Sequence, residues 1–306
     1  KILSLTLDDI DSGNLSADPN LLRRIVYEKE KISVDQELEL IQENDCQVVT
    51  CGDSSYPVLL RDILDAPPVL YFKGEIPPET TPYLSIIGAR EPTDNAKKIC
   101  YELASQCANK GMAIVSGASK GVDETAHRGA IDAQGKTVAI MACGLSQVHL
   151  CENRNLITEI MENGTVISEF PMSAKTKVMN FVQRNRLVSG LSKDIILVES
   201  TDRSGSLITA RFALEQERNV FILDGANPSS RTYLATHRLI SRGARLVDSA
   251  EEVLESLPNY PVNEDQNLLI PVVDSDQFET EDQPVPNSKL KTEKLTTRDS
   301  RAVERK

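Results

Sequence analysis

Ser85-Ile-Ile-Gly-Ala-Arg90 decides the fold. A hydrophobic strand runs into a glycine, a small residue and a cation. Three further stretches sit where a strand gives way to a helix mouth: Ser116-Gly-Ala-Ser-Lys-Gly-Val-Asp123 followed by Ala126-His127, Arg184-Asn-Arg186, and Ser204-Gly-Ser-Leu-Ile-Thr-Ala210. Each offers small residues, backbone N–H groups or a cation at that mouth. A parallel α/β sheet holds phosphate in this way. Several such mouths in one domain point to a ligand with several phosphates, and a polynucleotide strand is the obvious candidate.

Outward from these stretches, the chain from about Pro67 to Leu257 alternates strand with helix. Strands are expected at Val69–Phe72, Leu84–Gly88, Met112–Val115, Thr137–Met141, Thr165–Ile167, Ile195–Glu199, Asn219–Leu223 and Arg245–Val247. Most are unbroken apolar runs, as in strands buried on both faces. The spacing predicts helices at Asn95–Asn109, Glu124–Asp132, Asn153–Glu162, Phe181–Gly190, Leu207–Glu217, Tyr233–Arg242 and Ala250–Leu257. Ser249 with Glu252 caps the last. Such alternation implies right-handed crossovers and an α/β, doubly wound, mostly parallel (Rossmann-like) sheet. Its ligands bind at the carboxyl ends of the strands, where all the quoted motifs fall.

Two other regions flank this domain. Residues 1–64 form a small helical module, with helices at Leu21–Lys29 and Val34–Asn44, a capping box from Ser33 and Gln36, a short strand at Cys46–Thr50 and a helix opened by Tyr56-Pro57. The Rossmann-like domain then covers 65–257. Residues 258–306 carry Pro, an acidic stretch and a basic end without periodicity, so a disordered tail with no winged helix is expected. The run Leu268-Leu-Ile-Pro-Val-Val273 is either a docking peptide or nothing.

The 306 residues, 40% hydrophobic, suit about two domains with a substantial core. No apolar run is long enough for a bilayer, and no segment has the layout of a signal peptide, so a cytoplasmic protein is expected. Six cysteines without a CxxC pair read as reduced thiols rather than a metal site or disulfide frame. The net charge of -12 argues against a generally basic surface, yet leaves room for a local basic groove.

Within the motifs, Gly88 allows close approach of a ligand, and Arg90 either forks onto a phosphate or stays solvated. Ser116, Gly117, Lys120 and Gly121 form an anion-binding loop, and Asp123 is expected to cap the following helix. His127 is either a general acid or base or a structural hydrogen-bonding residue. Lys175, Lys177, Arg184 and Arg186 surround Phe181, a pattern suited to single-stranded nucleic acid; otherwise Phe181 is core and the cations are solvated. Ser204, Gly205, Ser206 and Thr209 make either a phosphate nest or an ordinary N-cap. Glu199 organises that loop or pairs with Arg203. Neither GxGxxG nor GxxxxGK[ST] is present, so the dinucleotide fingerprint and the Walker loop are missing.

Taken together and in order, these motifs resemble the DNA processing protein A family, also called Smf. The resemblance starts at Tyr56-Pro57, continues through Pro67-Pro-Val-Leu-Tyr71 and Gly74, and runs to Leu257. Its best matches are Gly88-Ala-Arg90, Ser116-Gly117 with Gly121-Val-Asp123 and Ala126-His127, Gly135-Lys-Thr137, Gly144-Leu145, Ser168-Glu-Phe-Pro171, Arg184-Asn-Arg186 with Ser189-Gly-Leu191, and Ser204 to Ala210. The chain departs from the family pattern at Val182, at Ser146 and His149-Leu150, at Asp224-Gly225 and at Ala235-Thr236-His237. The resemblance implies a non-enzymatic, homodimeric protein without cofactor or metal. Its implied role is to bind single-stranded DNA and load RecA recombinase during natural transformation. It assigns Arg90, Lys120, Phe181, Arg184 and Arg186 to the DNA groove, and Asn185 lies between the last two. The rival expectation is a protein that binds or hydrolyses a small nucleotide, though the Pro-Gly-Gly-x-Gly-Thr loop of related hydrolases is missing.

Overall fold

Why the apolar runs become strands is plain once their neighbours are seen. In this computed structural model, which describes residues 6–11, 18–29, 33–200, 204–223 and 232–257, nine strands form one sheet. In chain order the elements are α1 (Leu7–Asp11), α2 (Pro19–Lys29), α3 (Val34–Glu43), β1 (Gln47–Thr50), α4 (Val58–Arg61), β2 (Val69–Gly74), β3 (Tyr83–Gly88), α5 (Asp94–Asn109), β4 (Ala113–Ser116) and α6 (Val122–Asp132). They continue with β5 (Thr137–Ile140), a 3-10 turn (Leu145–Leu150), α7 (Arg154–Asn163), β6 (Thr165–Ser168), α8 (Val178–Gly190), β7 (Asp194–Val198), α9 (Gly205–Glu215), β8 (Asn219–Leu223), α10 (Thr232–Ile240), β9 (Arg245–Val247) and α11 (Ala250–Ser256). Arg203, Asp224-Gly225, the tail and its apolar run lie outside the described residues.

The strand order is β1-β2-β6-β5-β4-β3-β7-β8-β9. From β6 to β9 every pair is parallel, while β2 meets β6 and β1 antiparallel. The chain therefore steps from β3 outward to β6, crosses back by α8 to the other side of β3, and steps outward again to β9. That reversal makes a switch point between β3 and β7, where doubly wound sheets open a crevice. Although β1 lies in the stretch assigned to the N-terminal module, it is an edge strand of this sheet.

Alternation along each strand feeds two cores. Leu84 and Ile86 pack toward Cys100, Leu103 and Val122 on one face, while Tyr83 and Ile87 pack toward Leu187, Val188 and Ala210 on the other. Ser85 also faces the second layer, where its buried hydroxyl donates to Val188 O and meets Ser192 Oγ. A buried hydroxyl left unmade there would cost about 1–3 kcal/mol, so these bonds fix how α8 lies on β3.

Local differences from the expected boundaries have simple causes. Helix α8 begins at Val178, three residues before Phe181, and its first turn leaves Val178 and Met179 exposed. Helix α9 begins at Gly205, with Ser204 as its N-cap. Ser33 and Ser249 cap α3 and α11 as their spacing predicts, accepting from Gln36 N and Glu252 N. Asp123 does not cap α6. The N-cap is Gly121 at φ 85, and Asp123 Oδ2 instead accepts from Ser119 N. A Cβ on Gly121 would stand 2.4 Å from Ala89 O, so both conformation and space require glycine there.

Candidate functional site

At the carboxyl ends of β3, β4 and β7 lies a cleft of about 490 Å³. Gly88, Ala89, Arg90 and Glu91 come from the end of β3, Gly117, Ser119 and Lys120 from the β4–α6 loop, and Asp123 from the first turn of α6. Phe181, Arg184, Asn185 and Val188 come from α8, and Ser204, Gly205, Ser206 and Thr209 from the start of α9. Four stretches far apart in the chain thus meet at the switch point. Three cations face two carboxylates among these residues, and the first turn of an 11-residue helix adds backbone N–H groups.

The floor is tight. A Cβ on Gly88 would stand 1.9 Å from Val198 O, so the β3 end touches the β7 end directly. A Cβ on Gly117 would stand 1.8 Å from Arg184 Nη1. Glycine at 117 is therefore the condition for the guanidinium to lie across the end of β4. Arg184 is 3% exposed and donates from Nη1 to Ile140 O at 2.8 Å, while its Nε has no partner. Burial pushes its pKa down, opposed first by Asp123 and assisted by Arg90. Across from it, burial pushes the Asp123 carboxyl up, while Arg184, the Ser119 amide and the Ser116 hydroxyl pull it down. A buried guanidinium with an orphan donor favours an anion brought to it.

At the rim, Arg90 stands over the Phe181 ring at 5.6 Å. The pair presents a cation and an aromatic face together, a platform for a base and its phosphate. Lys120 reaches Glu152 at 2.6 Å, with both side chains more than half exposed. Ion pairs in such exposed positions are weak and exchange readily for another anion. Asn185 ties α8 to α9 through Gly205 O at 3.2 Å. The hydroxyls of Ser200, Ser204 and Ser206 form a chain at the α9 start.

The structure thus brings Gly88, Arg90, Gly117, Lys120, Phe181, Arg184, Asn185, Ser204, Gly205, Ser206 and Thr209 into one cleft. Ser116 and Gly121 lie beneath it as supports; Ser116 Oγ donates to Ile86 O at 2.6 Å. Arg186 is not brought in. It turns to the other flank of α8, bonds Glu169 through both terminal nitrogens at 2.8 and 2.6 Å, and bonds Asp65 through Nε at 2.7 Å. Lys175 and Lys177 are exposed ahead of α8 and do not line the cleft. His127 is fully buried, with Nδ1 2.7 Å from Thr137 Oγ1, and its pKa falls to about 3 through burial, with Arg184 and Arg128 adding to the effect. It is a neutral structural residue.

Sequence reading did not anticipate Glu91 and Asp123 as cleft residues, nor the bond from Thr93 to Glu199. Glu199, at φ 43, accepts from the Thr93 amide at 2.7 Å and thereby clamps the N-cap of α5, while the loop at 201–203 lies outside the described residues. An acidic residue directly after a strand is the available signal for such a clamp, but it does not name the partner. Among the described residues, no helix is long and apolar enough to cross a membrane.

The family model of DNA recombination-mediator protein A matches residues 47–258. Protein Smf of Synechocystis is 32% identical over 259 residues, 81% of this chain and 64% of that protein. Protein Smf of Escherichia coli is 35% identical over 74% of this chain, which spans 60% of its length. The DNA processing protein of Bacillus subtilis is 34% identical, over 74% of this chain and 76% of its own. Among solved structures, DNA processing protein A from Streptococcus pneumoniae superposes with a TM-score of 0.69 at 30% identity, covering 83% of this chain and 87% of that one. That from Helicobacter pylori, described for its single-stranded DNA binding mode, gives 0.60 at 29% identity, covering 68% of this chain and 94% of its own.

Proposed function

The chain belongs to the DNA recombination-mediator protein A family, and from that premise we propose that it binds single-stranded DNA in the cleft at the ends of β3, β4 and β7. The observation that carries this reading is Arg184: a buried guanidinium with an unpartnered Nε, set beside Gly117 and below the Arg90–Phe181 platform. In this reading the Arg184 guanidinium and the α9 amides hold one phosphate. Phe181 takes a base on its face, and Lys120 follows the backbone outward, exchanging Glu152 for a phosphate. The cleft accepts about one nucleotide, so neighbouring nucleotides run along the rim. The Helicobacter pylori relative, described for single-stranded DNA binding, supports the ligand class.

Binding rather than bond cleavage is proposed because the candidate acid–base residue, His127, is sealed against Thr137 and does not face the cleft. The finer role proposed is that of a cytoplasmic homodimer that hands the strand to RecA recombinase. A second reading, a small-nucleotide protein, has the cleft volume in its favour. Titration separates the two: a short single-stranded oligonucleotide, its duplex and a mononucleotide are compared over a salt series. Affinity that rises with strand length and falls steeply with salt supports the DNA reading. Saturable mononucleotide binding with no gain from length supports the second. Replacing Arg90 and Arg184 together by Ala is expected to weaken oligonucleotide binding by about a hundredfold or more; unchanged affinity places the site elsewhere.

A further inference from the structure

Beside the cleft, two thiols face each other in a way that the DNA reading does not use. Cys143 follows β5 and is 1% exposed; Cys151 ends the 3-10 turn and is half-buried. Their sulfurs stand 3.7 Å apart across this turn. We propose that Cys143 and Cys151 form a peroxide-oxidisable dithiol, and that its closure to a disulfide moves the loop that carries Lys120.

The chemistry follows from the asymmetry of the pair. Hydrogen bonding from Cys143 lowers the pKa of the Cys151 thiol, against the opposing effect of burial. The same bond, and then burial, raises Cys143. Cys151 is thus the more exposed and more acidic partner, as a primary thiolate must be, and Cys143 is the resolving thiol. In the first step, Cys151 thiolate attacks one oxygen of hydrogen peroxide. The O–O bond breaks, hydroxide leaves and takes up the proton that Cys151 lost, and Cys151 becomes a sulfenic acid. In the second, Cys143 sulfur attacks Cys151 sulfur, the S–O bond breaks and water leaves with the Cys143 proton. Two thiols are oxidised to one disulfide and one peroxide is reduced to two waters.

The coupling to the cleft runs through the two residues after Cys151. Glu152 holds Lys120 at 2.6 Å, and Asn153 Nδ2 donates to Ala118 O at 3.3 Å. Ala118 sits at φ 53 in the β4–α6 loop, a conformation a non-glycine residue keeps only when its surroundings hold it. A disulfide needs the sulfurs near 2.05 Å; in this proposal, closing the 3.7 Å gap draws Cys151 toward Cys143, and the two tethers that follow it move with it. The effect on DNA rests on the reading of the cleft as the DNA site; the cross-link does not.

The test uses the full chain treated with one equivalent of hydrogen peroxide, blocked with N-ethylmaleimide and mapped by peptide mass spectrometry. A Cys143–Cys151 linked peptide formed ahead of any oxidation at Cys46, Cys51, Cys100 or Cys107, reversed by dithiothreitol and lost in C151S, supports the proposal. In C143A, a dimedone adduct on Cys151 supports the order of attack. Should peroxide leave both thiols free, or link Cys151 to another cysteine, the dithiol is overturned. Oxidised and reduced protein are then compared for binding a single-stranded oligonucleotide. A shift of about two- to threefold, absent in C151S, supports the coupling; equal affinities overturn it. If the reduced protein binds no oligonucleotide, the DNA reading has failed while the peptide map still decides the dithiol.

Discussion

Helix α8 separates two regions that use the same side chain in opposite ways. On one side Arg184 reaches into the cleft with a single carbonyl acceptor and an unpartnered Nε. On the other, Arg186, two residues later, is closed into a network with Glu169 and Asp65. Both are buried, at 3% and 7% exposure. The difference is saturation. A buried cation with every guanidinium nitrogen bonded, to Asp65, Glu169 and the Gln183 carbonyl, holds the fold together. One that is left short, beside a glycine-made space, is the one proposed to hold a ligand.

The sharpest way to break this comparison is to exchange the consequences. Arg186→Ala leaves Glu169 buried without its partner, and such a loss costs about 3–5 kcal/mol of stability. Urea unfolding is expected to show it, while the folded variant keeps its oligonucleotide affinity. A loss of affinity without a loss of stability would put Arg186 in the site after all.

His127 lies beside the cleft, with Nδ1 bonded to Thr137 Oγ1 and a buried Nε2 that has no partner. Its folded pKa is about 3 against an ordinary 6.5, so the unfolded imidazole takes up the proton first as pH falls. Its contribution to stability is complete above pH 6.5 and is lost as pH drops from there toward 3, at about 1.4 kcal/mol per pH unit. Between pH 6.5 and 5 this amounts to about 2 kcal/mol, measurable by urea unfolding at each pH. His127→Gln is expected to flatten that slope; an unchanged slope assigns it to other groups.

On the cleft side, Gly117→Ala forces Arg184 off the end of β4. Oligonucleotide affinity is expected to fall about tenfold, or about 1.4 kcal/mol, with thermal stability changed less than in Arg186→Ala. The smallest effect belongs to the rim. Lys120→Ala should weaken binding about twofold and reduce the slope of log affinity against log salt by about 1.

Much of this was legible in the residues. Unbroken apolar runs ending in small residues mark strands buried on both faces, and their alternation with helices marks the switch point. The cleft followed because its parts sit at strand ends, a position that periodicity locates well. What stayed hidden is side-chain direction and partnership. Lys175, Lys177, Arg184 and Arg186 read as one basic group around Phe181, yet residues two apart on a helix face different sides. Helical geometry alone separates Arg184 from Arg186, but only the fold shows that Asp65 and Glu169, 121 and 17 residues away, meet the second. Asp123 likewise sits at the start of α6 as expected but does not cap it, because Gly121 is the N-cap and Asp123 instead accepts from Ser119 N.

The central claim is that the cleft, and not the ion-paired flank, receives the strand. Hydrogen exchange followed by mass spectrometry, with and without a saturating single-stranded oligonucleotide, tests it most directly. Slowed exchange is expected in peptides covering 117–123 and 204–209, with no change in those covering 62–66 and 168–170. Protection confined to the flank, or none at the β4 and β7 ends despite saturation, contradicts it.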